Sequence, residues 1–183
     1  RLQGELARAL RAPALPADFA TLAEQFYLRA GTQEHHALWK SLAVVPYNQA
    51  VSAISIAAYL DIFANIAAEG RLPPRPDAEL RPFLNHASQK VRHAAVRLVA
   101  SGGHIGLIAD TAGLASDEGN STELRFAAAN ALGQLSARLK QSVYIVPLMR
   151  SSQSLQTRLC GLAALVHVDP EAAAEAAIEL FSR

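Results

Sequence analysis

The second half of the sequence repeats every 33 residues. Three nine-residue segments align without gaps: VRHAAVRLV (91–99), LRFAAANAL (124–132) and TRLCGLAAL (157–165). Each segment has arginine at its second position, two small residues at its centre and an aliphatic residue at its end. On an α-helix, the first, fourth, fifth and eighth positions share one face, and small residues there let a neighbouring helix approach closely. The period therefore predicts stacked helical hairpins that bury their apolar faces against one another.

The composition agrees with an all-α fold. Apolar residues make up 51% of the 183 residues and aromatic residues only 6%, which favours helices packed through small side chains. No segment alternates with a period of two, so we predict no strand. The net charge of +1 gives no general attraction to polyanions or to acidic membrane surfaces. The single cysteine, Cys160, excludes an intramolecular disulfide and a zinc site with several thiolates.

The repeated segments resemble the HEAT-repeat family, in particular the short bacterial form whose second helix has the pattern V-R-x-x-A-A-x-x-L. The resemblance covers about residues 77–183, and its best stretches are LASDEGNSTELRFAAANALG (114–133) and HVDPEAAAEAAIEL (167–180). It implies an α-solenoid, a superhelix of stacked antiparallel helical hairpins.

The resemblance also implies which residues stabilise the stack. In the family, an aspartate before the second helix commonly pairs with the arginine of the repeat, which here means Asp117 with Arg125. The residues that precede Arg92 and Arg158 include no acid. We therefore expect these two arginines to reach carbonyl groups, or acids of adjacent repeats, because a guanidinium carries five donors.

A proline-rich stretch divides the sequence. Residues 70–77 (GRLPPRPD) contain three prolines and must be extended. We expect a linker at 71–76 between an N-terminal helical segment at 1–70, formed by diverged or capping hairpins, and HEAT-like repeats at 77–183. In the N-terminal segment we expect four helices, the third capped by Thr32 and the fourth by Asn48. Because the chain starts at Arg1 without methionine, we expect either a piece of a longer product or a trimmed chain.

Seven helices are predicted after the linker, because turn residues separate the apolar segments. Their expected ranges are 78–86, 89–101, 104–115, 122–138, 141–150, 154–168 and 170–182.

One apolar segment before the linker is nearly long enough to cross a bilayer. Residues 50–68 include a single charged residue, Asp61, close to the centre. A charge at that depth costs about 2.5–3.5 kcal/mol on insertion scales. We therefore favour a buried helix and expect no membrane span.

No combination of residues predicts catalysis, a cofactor or a metal. None of the six histidines stands four residues from another, as a helical metal site requires. The oxygen-rich residues 117–123 do not follow the spacing of a calcium loop and suit a turn with a helix cap. Cys160 lies within an apolar helix, where a small packing role is expected rather than a nucleophile.

The sequence favours a non-catalytic scaffold that binds a protein partner or another domain of its own longer polypeptide. One alternative is a helical accessory domain of a larger enzyme or membrane protein. A less favoured alternative is a protein that binds the nucleic-acid backbone, using the modest basic cluster Lys90, Arg92, His93 and Arg97.

Two groups of residues are candidates for the partner surface. The third and sixth positions of the segments face away from the predicted core, and their side chains either line an interaction groove or pack against neighbouring repeats. The last helix has an apolar face at Ala173, Ala176, Ala177, Leu180 and Phe181, which predicts further repeats, a partner or self-association. The candidate surface residues are His93, Phe126, Leu159, Leu162, Leu180 and Phe181.

Overall fold

Helices and the turns between them account for all of the chain that the computed structural model describes. The described residues are 1–31, 33–35, 37–38, 52–71, 76–150 and 152–182, and none of them lies in a β-strand. The all-α prediction is confirmed. The helices are α1 (Leu2–Arg11), α2 (Phe19–Arg29), α3 (Ala53–Ala68), α4 (Asp77–Leu84), α5 (Gln89–Gly102), α6 (Ile108–Ser116) with a 3₁₀ turn (Ile105–Leu107) before it, α7 (Thr122–Leu139), α8 (Val146–Met149), α9 (Leu155–Leu165) and α10 (Pro170–Phe181).

Side-chain caps fix the starts of four helices. In each, a serine or aspartate oxygen accepts a hydrogen bond from the amide three residues later, which typically contributes about 1 kcal/mol. The capping residues are Ser52 for α3, Ser121 for α7, Ser154 for α9 and Asp169 for α10. Helix α3 therefore begins at Ala53 with Ser52 as its cap, whereas Asn48 was the predicted cap. Asn48 and Thr32 lie outside the described residues.

Contacts between the helices divide the chain into two compact units, Arg1–Gly102 and Gly103–Arg183. In the first unit α1 packs against α2, α4 packs against α5, and α3 makes its most extensive contacts with α5. The predicted linker at 71–76 falls within this unit, and its residues 72–75 lie outside the described residues.

Aromatic rings and one ion pair hold α3 in the first unit. The Phe63 ring lies 4.8 Å from the ring of Tyr27 on α2 and 4.5 Å from that of Tyr59. Arg97 on α5 donates to the Asp61 carboxylate, which is therefore paired within the protein. None of the helices in the described ranges combines the length and the apolarity that crossing a bilayer requires.

The second unit contains two pairs of packed helices followed by a further helix. Helix α6 packs against α7 and α8 packs against α9, while α9 also contacts α7 and α10. Glycines allow two of these close approaches. A Cβ atom at Gly133 on α7 would lie 2.5 Å from the Ala164 carbonyl oxygen of α9, and one at Gly161 on α9 would lie 2.6 Å from the Met149 sulfur of α8.

Six of the seven helices predicted after residue 77 have a counterpart, but the helix predicted at 141–150 is much shorter. Only Val146–Met149 is helical there. Lys140 ends α7 in the left-handed conformation, with φ of 53°. Pro147 lacks an amide donor, and its ring clashes with the carbonyl four residues earlier, so the first turn of a helix tolerates it best. The helix therefore starts just before Pro147.

Candidate functional site

Helices α7 and α9 lie side by side and run in the same direction. Three polar pairs join them in order along the two chain segments, at distances of 2.6–3.3 Å: Gln156 with Thr122, Arg125 with Thr157, and His167 with Asn130. The partners stand 34, 32 and 37 residues apart. These separations are close to the 33-residue period, so the helices that carry two successive repeated segments are neighbours.

Arg125 is a buried polar residue between α7 and α9. Its side chain is only 2% exposed. The Nε atom donates to the carbonyl oxygen of Ala115 at 3.1 Å, and Nη2 donates to the Thr157 hydroxyl at 2.6 Å. Ala115 lies at the C-terminal end of α6, where the carbonyl groups carry partial negative charge. Arg125 thus connects α6, α7 and α9, and no carboxylate among the described residues pairs with it.

The other residues predicted to stabilise the stack have different surroundings. Arg92 is half-buried and donates through Nη1 to the carbonyl oxygens of His86 and Ala87, at 2.7 and 3.2 Å. Arg158 is also half-buried, but its Nε meets no hydrogen-bond acceptor among the described residues. The three arginines are therefore not equivalent in their partners.

Asp117 does not form the ion pair that the family resemblance implied. Its Oδ1 accepts a hydrogen bond from the amide of Gly119 at 2.9 Å. Arg125 donates to the Ala115 carbonyl and to Thr157 instead. The physical reason is that an aspartate two residues before a glycine turn can satisfy the turn amide directly, while Arg125 is already bound by nearer acceptors.

Three of the candidate surface residues form a row on the second unit. Phe126 on α7 and Leu159 on α9 are 33 residues apart, so they occupy equivalent positions on the two parallel helices, and Leu162 follows one turn later. All three side chains are partly exposed, and so is His93 on α5 of the first unit. We call Phe126, Leu159 and Leu162 the apolar row.

The prediction for the last helix is wrong in one respect. Leu180 is only 8% exposed, so it belongs to the packed face of α10 together with Ala173. Phe181 is 69% exposed. Successive residues on a helix point about 100° apart, so two neighbours in sequence do not share one face. Leu180 therefore does not contribute to an accessible surface.

Sequence reasoning missed several exposed apolar residues of the second unit. Ile178 is 69% exposed, and it stands three residues before Phe181 on the same side of α10. Other exposed apolar side chains lie just before α8, within it, or at the start of α9, and these are Val143, Tyr144, Val146 and Leu155. The three-residue spacing of Ile178 and Phe181 also indicates an apolar face of the helix. The alanine stripe on the opposite face contains more apolar residues and therefore dominated the prediction.

The described residues include few candidates for metal binding or catalysis. No group of three or more histidine, cysteine or acidic side chains within them is placed to hold a metal ion. Cys160 is fully buried, and burial raises the pKa of its thiol, although the charge of Arg125 acts in the opposite direction. A thiol in this state is a weak nucleophile at neutral pH.

His86 is a buried histidine of the first unit. Its ring is 8% exposed, and Nδ1 accepts a hydrogen bond from the Ser88 amide at 3.0 Å, which requires this nitrogen to be unprotonated. Burial lowers the pKa of His86, and the positive charge of Arg92 lowers it further. The folded first unit therefore favours the neutral ring.

Acidification is expected to destabilise the first unit through His86. The unfolded chain takes up a proton on this histidine with the ordinary pKa of 6.5, whereas the folded state resists protonation. The free energy of unfolding should therefore fall as the pH drops from about 7.5 to about 5. Urea denaturation at a series of pH values measures this slope. His86→Asn keeps an acceptor for Ser88 and should flatten the slope; an equally steep slope in this variant would contradict the assignment.

Comparisons with known proteins leave the family undecided. No family model matches the sequence, no curated protein matches it, and no solved structure matches it. The resemblance to HEAT repeats therefore remains a prediction from the repeated segments.

Proposed function

We propose that this chain is a non-catalytic α-solenoid domain of the HEAT type that binds a protein partner through the apolar row. The observation that carries the proposal is the repetition of a partly exposed apolar side chain, Phe126 and then Leu159, on two parallel helices 33 residues apart. Arg125 is buried and donates hydrogen bonds to both neighbouring helices, α6 and α9. These contacts make this part of the unit a rigid support for the apolar row. A rigid apolar surface suits the buried centre of a protein interface.

Charge supports a protein partner over a nucleic-acid backbone. Arg97, a member of the basic cluster on α5, is paired with Asp61 and also donates to Asn65 at 3.1 Å. Arg92 is bound to backbone carbonyls. Binding to a phosphate backbone requires several free cations in a row. We therefore rank duplex binding below protein binding.

Polar substitutions in the apolar row test the proposal. Phe126→Ser and Leu159→Ser, made separately, should each reduce capture of the same partner by about tenfold or more, because apolar anchors dominate binding energy. Each should lower the free energy of unfolding by no more than about 1.5 kcal/mol, since the side chains are only partly buried. Affinity capture with quantified co-purification measures the first effect, and urea denaturation measures the second.

Leu28→Ser is the matched control, because Leu28 is an exposed apolar residue on α2 of the first unit, 57% exposed. It should leave capture unchanged. If both variants of the row lose several kcal/mol of stability and still capture the partner, the row is core and the proposal is wrong. If the captured partner is another region of the same polypeptide, the accessory-domain hypothesis is favoured.

A further inference from the structure

The exposed face of α10 combines apolar and acidic side chains. Ile178 and Phe181 are each 69% exposed. Glu171 and Glu175 are exposed and stand seven and three residues before Ile178, which places them on the same side of the helix. We call these four residues the acidic patch. Between residues 169 and 182 the sequence contains four acidic residues and no basic one.

A second exposed surface of the same unit combines apolar and basic side chains. Val143 and Val146 are 59% and 54% exposed, and Tyr144 is 36% exposed. The exposed cations Lys140 and Arg150 flank them. We call these five residues the basic patch. Residues 140–150 include no acid.

Within one chain, the acidic patch and the basic patch do not pair with each other. Helices α8 and α10 both pack against α9 and make few contacts with one another. Within the described part of the chain, Lys140, Arg150, Glu171 and Glu175 take part in no ion pair. Each patch therefore exposes both apolar area and uncompensated charge, a combination that a complementary surface can cover.

We propose that the acidic patch of one copy of this chain binds the basic patch of a second copy. Each copy carries both halves of the contact, which match in apolar character and are opposite in charge. Two such contacts related by a twofold axis close a dimer, and a single repeated contact extends a chain of copies. Contact between two acidic patches is disfavoured, because it would bring glutamates of the two copies together. This self-association uses none of the residues of the apolar row and goes beyond the proposed function.

Charge reversal with restoration by mixing tests the pairing. Sedimentation velocity over about 1–100 μM, the range in which small interfaces associate, should show concentration-dependent association of the native chain. Glu171→Lys/Glu175→Lys makes both patches basic, and Lys140→Glu/Arg150→Glu makes both acidic, so each variant alone should stay monomeric. An equimolar mixture should associate again, because one variant then supplies a basic α10 face and the other supplies an acidic partner surface.

A matched control separates the loss of this contact from the effect of net charge. Glu34→Lys/Glu118→Lys produces the same net charge as Glu171→Lys/Glu175→Lys at two exposed positions that belong to neither patch. It should associate with itself like the native chain, because both of its patches are unchanged. If it stayed monomeric as well, net charge and not the acidic patch would explain the behaviour of Glu171→Lys/Glu175→Lys.

Removal of the apolar part gives an independent measurement. Phe181→Ser should weaken the association about tenfold or more while the circular dichroism spectrum stays unchanged, because the side chain is exposed in the monomer. Any of three outcomes would overturn the proposal: a native chain that stays monomeric over the whole range, association that survives both charge reversals, or a mixture that does not reassociate. None of these outcomes bears on capture of a partner by the apolar row.

Discussion

Arg125→Ala is expected to lower the free energy of unfolding of the second unit by about 3–5 kcal/mol, as truncations of large buried side chains do. Arg125 is the largest of the fully buried side chains among the described residues. Its removal leaves a cavity between α6, α7 and α9. It also leaves the Ala115 carbonyl without its hydrogen-bond donor, while Thr157 keeps a contact with the Ser154 hydroxyl at 3.0 Å.

One effect opposes this loss. Arg125 is a buried charge that pairs with no carboxylate in the described part of the chain, so its removal also relieves a desolvation cost. Arg125→Met separates the two contributions, because methionine fills much of the volume and carries no charge. We expect this variant to lose about 1–2 kcal/mol, close to the value of the hydrogen bonds alone. The cavity is therefore the larger effect in the alanine variant.

Arg158→Ala is the matched control, because Arg158 occupies the equivalent position of the next repeated segment. Its side chain is half-buried, and its Nε makes no hydrogen bond among the described residues. We expect a loss below about 1 kcal/mol. Urea denaturation followed by circular dichroism measures all three variants. Equal losses for Arg125→Ala and Arg158→Ala would show that the burial of Arg125 does not stabilise the second unit.

Gly133→Ala is expected to destabilise the second unit by about 1–3 kcal/mol, the usual range for overpacking. Alanine in place of glycine within a helix normally stabilises it by about 1 kcal/mol. At Gly133 the new Cβ atom would lie 2.5 Å from the carbonyl oxygen and 3.0 Å from the Cα atom of Ala164, and 2.7 Å from the His167 ring. Two of these atoms belong to the α9 backbone, which cannot move without separating the helices. The steric cost therefore outweighs the gain in helix propensity.

Gly113→Ala has the opposite expected sign and serves as the control. Gly113 lies within α6, and a Cβ atom there would meet nothing within 4 Å. We expect a gain of about 0.5–1 kcal/mol from the helix propensity alone. Denaturation midpoints at an unchanged m-value report both effects. If Gly133→Ala were stabilising as well, α7 and α9 could not be as close as the structure has them.

The close approach at Gly161 has its origin in the sequence period, whereas Gly133 lies just after the repeated segment 124–132. Small residues recur at the centre of each repeated segment, and this recurrence predicted tight contact between helices. The starts of α9 and α10 were also predictable, because Asp169 precedes Pro170 and serines precede the apolar segments. Local chemistry is enough in these cases, since a cap involves only neighbours in sequence.

The orientation of α10 was not predictable in the same way. This helix has two apolar stripes, one with Ala173 and Leu180, and the other with Ile178 and Phe181. The first packs inside the unit and the second is exposed. Apolar spacing alone favoured the alanine-rich stripe as a free surface. Only the position of α9 decides which stripe is buried, because both stripes satisfy the helical period.

The sequence by itself determined that the chain is helical, where most of its helices start and end, and that equivalent segments recur at intervals of 33 residues. These properties depend on residues close together along the chain. The tertiary structure decided that Arg125 is fully buried while Arg158 is half-buried, that Asp117 binds a turn amide, and that α10 exposes Ile178 and Phe181. Each of these properties depends on which residues lie nearby in space. The spacing of apolar residues within one segment does not determine those neighbours.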